Sequence, residues 1–178
     1  MTRMTVKSAL RIAGAAAAVG IALTAAAPGT VQAAAGRGTP TCGTDDLRIS
    51  FAERLGGGMN HAGGTLELKN ATGHTCALRG YPGLGLEDGG HRALSTRTVR
   101  GSTWYADDPG NHLVLLEPGQ AAQANVAWTH TGTEARAGSY LRVTPPAARS
   151  YRAIPLNDAV DFGELHVTAV AHRVPVRG

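Results

Sequence analysis

The sequence predicts an all-β protein, an antiparallel immunoglobulin-like β-sandwich of about seven to nine short strands, with a small β-barrel as the alternative. Three observations lead to this fold class. Apolar and polar residues alternate in many short segments after residue 41. Turn-forming Gly and Pro residues separate these segments. No stretch beyond residue 33 carries the apolar stripe of a long amphipathic helix.

The alternation is clearest in five segments, at residues 47–51, 66–69, 122–129, 141–144 and 165–169. A period of two puts Val126 and Trp128 on one face of the longest segment, which predicts that both are buried. The residues expected to share that core are Ala122, Ala124, Leu66, Leu68, Leu141 and Val143. The residues of the same segment expected to meet water are Gln123, Asn125 and Thr129. Shorter strands are predicted at residues 75–78, 94–99, 112–116 and 151–154.

Residues 1–33 have the organisation of a secretory signal peptide. Arg3, Lys7 and Arg11 precede an apolar run at residues 12–27, and Val31-Gln32-Ala33 supplies the small residues of a cleavage site. A retained membrane anchor is the alternative, but the run is shorter than the roughly 18–20 residues that span a bilayer. The sequence therefore predicts a Sec-type leader, cleavage near Ala34 and a secreted, extracellular protein with no membrane span after cleavage.

Beyond the leader, the chain is expected to hold a flexible lead-in at residues 34–41, a single β-sandwich domain at residues 42–172 and a C-terminal tail at residues 173–178. The leader holds three of the 17 Lys and Arg residues, which leaves 14 basic against 13 acidic residues in the mature chain. Because these charges nearly balance, there is no electrostatic reason to expect nucleic acid or an anionic membrane as a partner.

Cys42 and Cys76 are the only cysteines, and both follow the leader. In the oxidising compartment that a signal peptide implies, an isolated pair predicts a disulfide. A redox or metal-binding pair is the alternative, but neither cysteine lies in a Cys-x-x-Cys or another activating motif. A lipid anchor on Cys42 is not expected, because residues 37–41 separate it from a lipobox position directly after the apolar run.

Four motifs follow one another in the chain. A strand ending in Asn, at residues 66–70, precedes Cys-x-Leu-x-Gly-Tyr-Pro-Gly at residues 76–83. A Leu-x-Pro-Gly turn then leads into a small-residue strand ending in Trp, at residues 116–128, and Leu-x-Val-x-Pro-Pro follows at residues 141–146. In this order, and over about residues 41–170, the chain resembles the actinobacterial secreted domains known as domain of unknown function 4232 (DUF4232).

The resemblance implies a secreted or lipid-anchored β-sandwich in which Cys42 pairs with Cys76. Many such domains carry a second cysteine pair, and the corresponding stretches here, residues 129–139 and 160–164, hold no cysteine. The resemblance supplies no catalytic residue, because the activity of the family is unassigned.

The segment Tyr81-Pro82-Gly83 predicts a tight turn, since Pro82 fixes φ at about −65° and Gly83 accepts a positive φ. We expect Tyr81 to pack its ring over the cystine and to donate its hydroxyl to a backbone group. This role is structural.

The motifs of common enzyme classes are absent from the sequence. It holds no Gly-x-Ser-x-Gly elbow, no His-Glu-x-x-His, no phosphate-binding loop that opens a helix and no calcium-loop pattern. The chain is therefore not expected to be an enzyme, and no cofactor or specific metal site is predicted.

A binding function is the remaining possibility, and four residues are candidates for the binding site. Trp104 and Tyr105 are adjacent in a Gly- and Asp-rich stretch, so one of them is expected to be exposed, as on a loop that binds a partner. The favoured interpretation of Trp104, however, is that it caps the end of the core. Met59 and His61 combine a thioether and an imidazole, which suit Cu(I). Two further histidines, His166 and His172, are expected on the wet face of the last strand.

The sequence thus predicts a secreted, non-catalytic binding module with an extracellular or cell-envelope partner. The alternative is an exported, copper-type metal-handling protein that uses Met59, His61 and other surface histidines.

Overall fold

The structure is a computed structural model that describes residues 38–56 and 60–177. The predicted leader at residues 1–33, the first half of the lead-in and Met59 lie outside the described residues.

Eleven strands and one short 3-10 helix make up the described part of the chain. The strands are β1 (Leu47–Gly56), β2 (His61–Asn70), β3 (Cys76–Arg79), β4 (Gly83–Glu87), β5 (Ala93–Leu94), β6 (Arg97–Arg100), β7 (Leu113–Leu116), β8 (Ala121–Thr129), β9 (Arg136–Thr144), β10 (Arg152–Val160) and β11 (Glu164–Val167), with the 3-10 helix at Asp161–Gly163. The predicted strands are present, and the predicted strand at residues 94–99 is divided between β5 and β6.

The strands form three open sheets. A five-stranded sheet has the order β1-β2-β8-β11-β6, a four-stranded sheet has the order β10-β9-β4-β5, and β3 pairs with β7. All pairings are antiparallel except β11 with β6, which run parallel. The all-β sandwich is confirmed, and within the described residues no sheet closes into the alternative barrel.

The core fills the space between the two large sheets. Trp128 is 1% exposed, and the residues predicted to join it are fully buried in the same cluster: Ala122, Ala124, Val126, Leu66, Leu68, Leu141 and Val143. The alternation along β8 places Ala122, Ala124, Val126 and Trp128 on one face, because successive residues of a strand point in opposite directions.

The expected exposure of Asn125 is wrong. Its side chain is 0% exposed, because the loop at residues 101–112 crosses the outer face of the sheet above it. Thr103 Oγ1 donates a hydrogen bond to Asn125 Oδ1, and Asn125 N donates to Thr168 Oγ1 at 3.0 Å. The neighbours on the same face, Gln123 and Thr129, are half-buried.

The predicted turn at Tyr81-Pro82-Gly83 is also wrong in its details. Gly83 opens β4 and pairs with Thr144, while the positive φ of 94° belongs to Gly80. The hydroxyl of Tyr81 donates to a carboxylate oxygen of Asp108 rather than to a backbone group. The chain therefore turns two residues before the proline, and Pro82 leads directly into a strand.

The predicted disulfide is confirmed. The sulfur atoms of Cys42 and Cys76 are 2.05 Å apart and their Cα atoms 5.0 Å apart, and both residues are buried. The bond fixes the segment before β1 to β3, where Cys42 N also donates to Ala77 O at 3.0 Å.

Candidate functional site

The outer face of the five-stranded sheet carries a row of small and polar residues where β2, β8 and β11 lie side by side. His61 of β2 pairs with Thr129 of β8, and Gly63 pairs with Ala127. On the other side of β8, Ala127 pairs with His166 of β11. This face lies opposite the core, since Trp128, the neighbour of Ala127 and Thr129 in sequence, points inward.

The loop at residues 101–112 is held against this face by its second aromatic residue, Tyr105. A Cβ on Gly63 would lie 2.8 Å from the Tyr105 ring and 2.6 Å from Val126 O, so only glycine lets the ring come this close. The Tyr105 hydroxyl donates to His61 O at 2.8 Å, and burial raises the pKa of Tyr105.

Thr103 holds the start of the same loop. Its hydroxyl donates to Asn125 and accepts hydrogen bonds from the backbone N–H groups of Tyr105, at 3.2 Å, and Ala106, at 3.0 Å. Thr103 is buried together with Asn125. A buried hydrogen-bond network of this kind fixes the position of the residues between its members, and Trp104 is one of them.

Trp104 stands out from the loop and rests on His61. The two rings are stacked, with centroids 3.8 Å apart and an angle of 10° between their planes. The imidazole covers one indole face, and 54% of Trp104 remains exposed. His61 Nδ1 is buried and has no hydrogen-bond partner among the described residues. The favoured interpretation, in which Trp104 caps the core, is therefore wrong.

A second exposed aromatic residue, Phe162, lies in the short 3-10 helix just before β11, across β8 from His61. Phe162 is 57% exposed and has a φ of 54°, a left-handed conformation that is uncommon for an aromatic residue. Gly163 follows with a φ of 66°, and a Cβ there would lie 2.2 Å from Ser95 O. Strained backbone of this kind often marks a functional site.

Asp161 anchors the turn that presents Phe162. The carboxylate is buried and accepts hydrogen bonds from the N–H groups of Thr131, at 2.8 Å, and Gly132, at 2.9 Å, and from the Thr131 hydroxyl, at 2.6 Å. Burial alone would raise the pKa of Asp161, but these hydrogen bonds outweigh it and bring the pKa below its ordinary value.

Trp104 and Phe162 line a cleft of about 580 Å³ with β8 at its floor. Its lining also contains His61, Thr129, Glu164, His166 and Arg177. Glu164 lies 2.7 Å from Arg97 Nη1 and 3.0 Å from His166 Nε2. Arg177 Nη2 lies 2.8 Å from Asp107 Oδ1. The charges of Glu164 and Arg177 are thus already paired within the protein.

Two of the four sequence-predicted binding residues, Trp104 and His61, come together in this cleft, and His166 joins them. Tyr105 is half-buried beneath the loop and serves as its anchor. Sequence reasoning missed Phe162, Glu164 and Arg177. The signal for Phe162 was present, because an aromatic residue between Asp161 and Gly163 stands where a turn is expected.

Metal binding has little support in the described part of the chain. There, no group of three or more His, Cys, Asp and Glu side chains is placed to hold an ion. His61 turns a buried nitrogen inward and stacks on an indole, whereas Met59 lies outside the described residues.

Among residues 38–56 and 60–177, none belongs to a helix with the length and apolar character needed to cross a membrane.

Comparison with known proteins assigns the chain to a family. The family model described as "Domain of unknown function (DUF4232)" matches residues 42–171, which covers most of the chain and both cysteines. Comparison with curated proteins and with solved structures finds no significant match. The matched range contains Trp104, Phe162 and the strands that form the floor of the cleft, and the chain belongs to the DUF4232 family.

Proposed function

We propose that this chain is an exported, non-catalytic binding domain and that its ligand occupies the cleft between Trp104 and Phe162. The observation that carries the proposal is the exposure of two large aromatic side chains, 54% and 57%, in one cleft. Each is presented by a firmly held segment, the first through Thr103 and Tyr105 and the second through Asp161.

A rigid site favours affinity, because side chains that are already ordered lose little conformational entropy when a ligand binds. An exposed aromatic residue on a rigid element supplies a large contact area at a small cost in entropy. Trp104 fits this description, since its indole rests on His61 and both neighbours in sequence are fixed to the sheet.

The arrangement of polar groups favours binding over catalysis. Covalent catalysis requires a hydroxyl or thiol nucleophile within hydrogen-bond reach of a base. In the described part of the chain the His166 side chain is hydrogen bonded to Glu164, and no serine or threonine hydroxyl is hydrogen bonded to it. Glu164 is also paired with Arg97. Both groups therefore stabilise each other in the wall of the cleft.

Export is proposed on the leader pattern at residues 1–33, and the Cys42–Cys76 disulfide supports it. Such bonds persist in oxidising compartments and are rare in reducing ones. Amino-terminal sequencing of the protein recovered from the medium tests this part. We expect a sequence starting at or near Ala34; a product that keeps Thr2 in the membrane fraction contradicts export by cleavage.

Co-sedimentation with the insoluble cell-envelope fraction of the producing cells tests the binding function. We expect the mature domain to sediment with the envelope and Trp104→Ala to bind about tenfold more weakly. Leu113→Ala is the matched control, because Leu113 is also 54% exposed but lies on β7, outside the cleft. Equal binding by Trp104→Ala and the parent contradicts the assignment of the site.

A further inference from the structure

We propose that the cleft binds a neutral glycan, an inference that deepens the proposed binding function and depends on it. Three features of the cleft lead to this class of ligand: its open aromatic faces, its uncharged hydrogen-bonding groups and its paired charges.

The aromatic faces match the apolar faces of a sugar. A pyranose ring presents C–H groups on its two faces and hydroxyls around its edge, and the C–H faces stack on aromatic rings through dispersion and weak C–H contacts. His61 already covers one face of the Trp104 indole, and the exposed remainder of the side chain borders the cleft. Phe162 offers a second ring across β8.

The polar lining matches the edge of a sugar. A sugar hydroxyl both donates and accepts hydrogen bonds, so it is best met by groups that can do the same. Thr129 and Ser102 contribute hydroxyls, and His166 contributes an imidazole. A small number of polar groups among apolar ones is the usual composition of a small-ligand site, and about 580 Å³ lies within the usual size range of about 300–1,000 Å³.

The charges of the cleft argue for a neutral ligand. An anionic glycan would need a free guanidinium, but Arg177 is paired with Asp107 at 2.8 Å. A cationic ligand would need a free carboxylate, but Glu164 forms an ion pair with Arg97 and a hydrogen bond with His166. The carboxylate of Asp161 is buried and accepts three hydrogen bonds. A charged ligand would therefore compete with a partner that its binding group already has, whereas a neutral one leaves these surface ion pairs as they are.

The experiment uses the mature domain and its envelope fraction in three forms: untreated, digested with protease, and oxidised with periodate and then quenched. Periodate cleaves the vicinal diols of sugars. We expect binding of the parent to survive protease treatment and to fall about tenfold after periodate treatment. On the untreated envelope, Trp104→Ala and Phe162→Ala should bind weakly, whereas Leu113→Ala should bind as the parent does. Binding that survives periodate but is lost to protease overturns the glycan inference and leaves the proposed binding function standing. Binding that survives both treatments is decided by the calorimetry below, because 1,4-linked N-acetylglucosamine has no vicinal diol. Equal binding by the parent and Trp104→Ala instead overturns the proposed site itself.

A second measurement separates neutral from charged glycans. Isothermal titration calorimetry with neutral tetrasaccharides of glucose, mannose and N-acetylglucosamine is compared with titration of polygalacturonate. We expect a heat of binding from at least one neutral probe and little change in its affinity between 50 and 500 mM salt (about a tenfold range). The heat of binding should be lost in Trp104→Ala. Binding of polygalacturonate alone, weakened by salt, overturns the inference of a neutral ligand. The folded state of each variant is checked by its melting temperature, which all three surface substitutions should leave near that of the parent.

Discussion

The hydroxyl of Tyr81 donates a hydrogen bond to Asp108 Oδ2 at 2.5 Å and so joins the corner before β4 to the loop that carries Trp104. The other oxygen of the same carboxylate accepts from Ala169 N at 2.8 Å, just after β11. Asp108 thus connects three segments that are far apart in sequence. The hydrogen bond to Asp108, with some burial, raises the pKa of Tyr81.

Tyr81→Phe should lower the free energy of unfolding by about 1 kcal/mol at pH 7, because it removes one charge-assisted hydrogen bond. Urea denaturation measures this. Since the folded-state pKa of Tyr81 is raised, the stabilisation is fully present below the unfolded value of about 10 and is lost as the pH rises through the folded value. The gap between parent and variant should therefore close in alkaline solution. Tyr151→Phe is the control, and equal stability of parent and Tyr81→Phe at pH 7 contradicts the prediction.

Trp128→Ala should cost about 3–5 kcal/mol of stability, because it empties the centre of the core and removes the hydrogen bond from Trp128 Nε1 to Asp158. That loss is a large share of the total stability of a typical domain, about 5–15 kcal/mol. Chemical denaturation is the measurement, with Leu113→Ala as an exposed control expected within about 0.5 kcal/mol of the parent. A Trp128→Ala protein that is secreted normally and melts with the parent would contradict the sandwich core.

Asp161→Asn should make the protein less stable at neutral pH and less sensitive to acid. The folded-state pKa of Asp161 is lowered, so its contribution is present above the unfolded value of about 3.9 and is lost as the pH falls through the folded value. Melting temperatures from pH 7 down to pH 2.5 should show parent and variant converging at the acid end (about the last two pH units). Parallel curves over the whole range would show that Asp161 does not titrate as proposed.

The secreted, unreduced protein should contain no reactive thiol, since Cys42 and Cys76 are bonded across 34 positions. Replacing both by serine should cost about 3–4 kcal/mol in the chain-entropy account, because it frees that loop in the unfolded state. Thiol labelling under denaturing conditions, with a reduced sample as the positive control, is the direct measurement. Two labelled cysteines without reduction contradict the pairing.

The core could be predicted from the sequence because it depends on local alternation. The sequence of β8 alternates with a period of two, and its four inward residues, Ala122, Ala124, Val126 and Trp128, all lie in the core. β4 was missed, although it is central in its sheet, because its Gly83-Leu84-Gly85-Leu86 resembles a loop in composition. The pairing of β4 with β9 and β5 fixes the position of this strand, and such pairing leaves no pattern in the local sequence.

The candidate site was predictable only in part for the same reason. Trp104 was singled out as an aromatic residue in a loop, but its stacking on His61 joins positions 43 residues apart in the chain. Asn125 was assigned to solvent because alternation alone does not report a loop that folds back over a sheet. Phe162 and Arg177 join the cleft through the order of the strands, which short-range patterns do not encode.

The contrast between the two tryptophans has a practical consequence. Trp128 is enclosed in the core, and Trp104 stands half in solvent beside the cleft. The fluorescence of the chain should therefore contain a blue-shifted component from Trp128 and a red-shifted component from Trp104 that iodide can quench. One spectrum then reports on two parts of the molecule at once. A molecule that enters the cleft should shield the second component, while unfolding should shift the first.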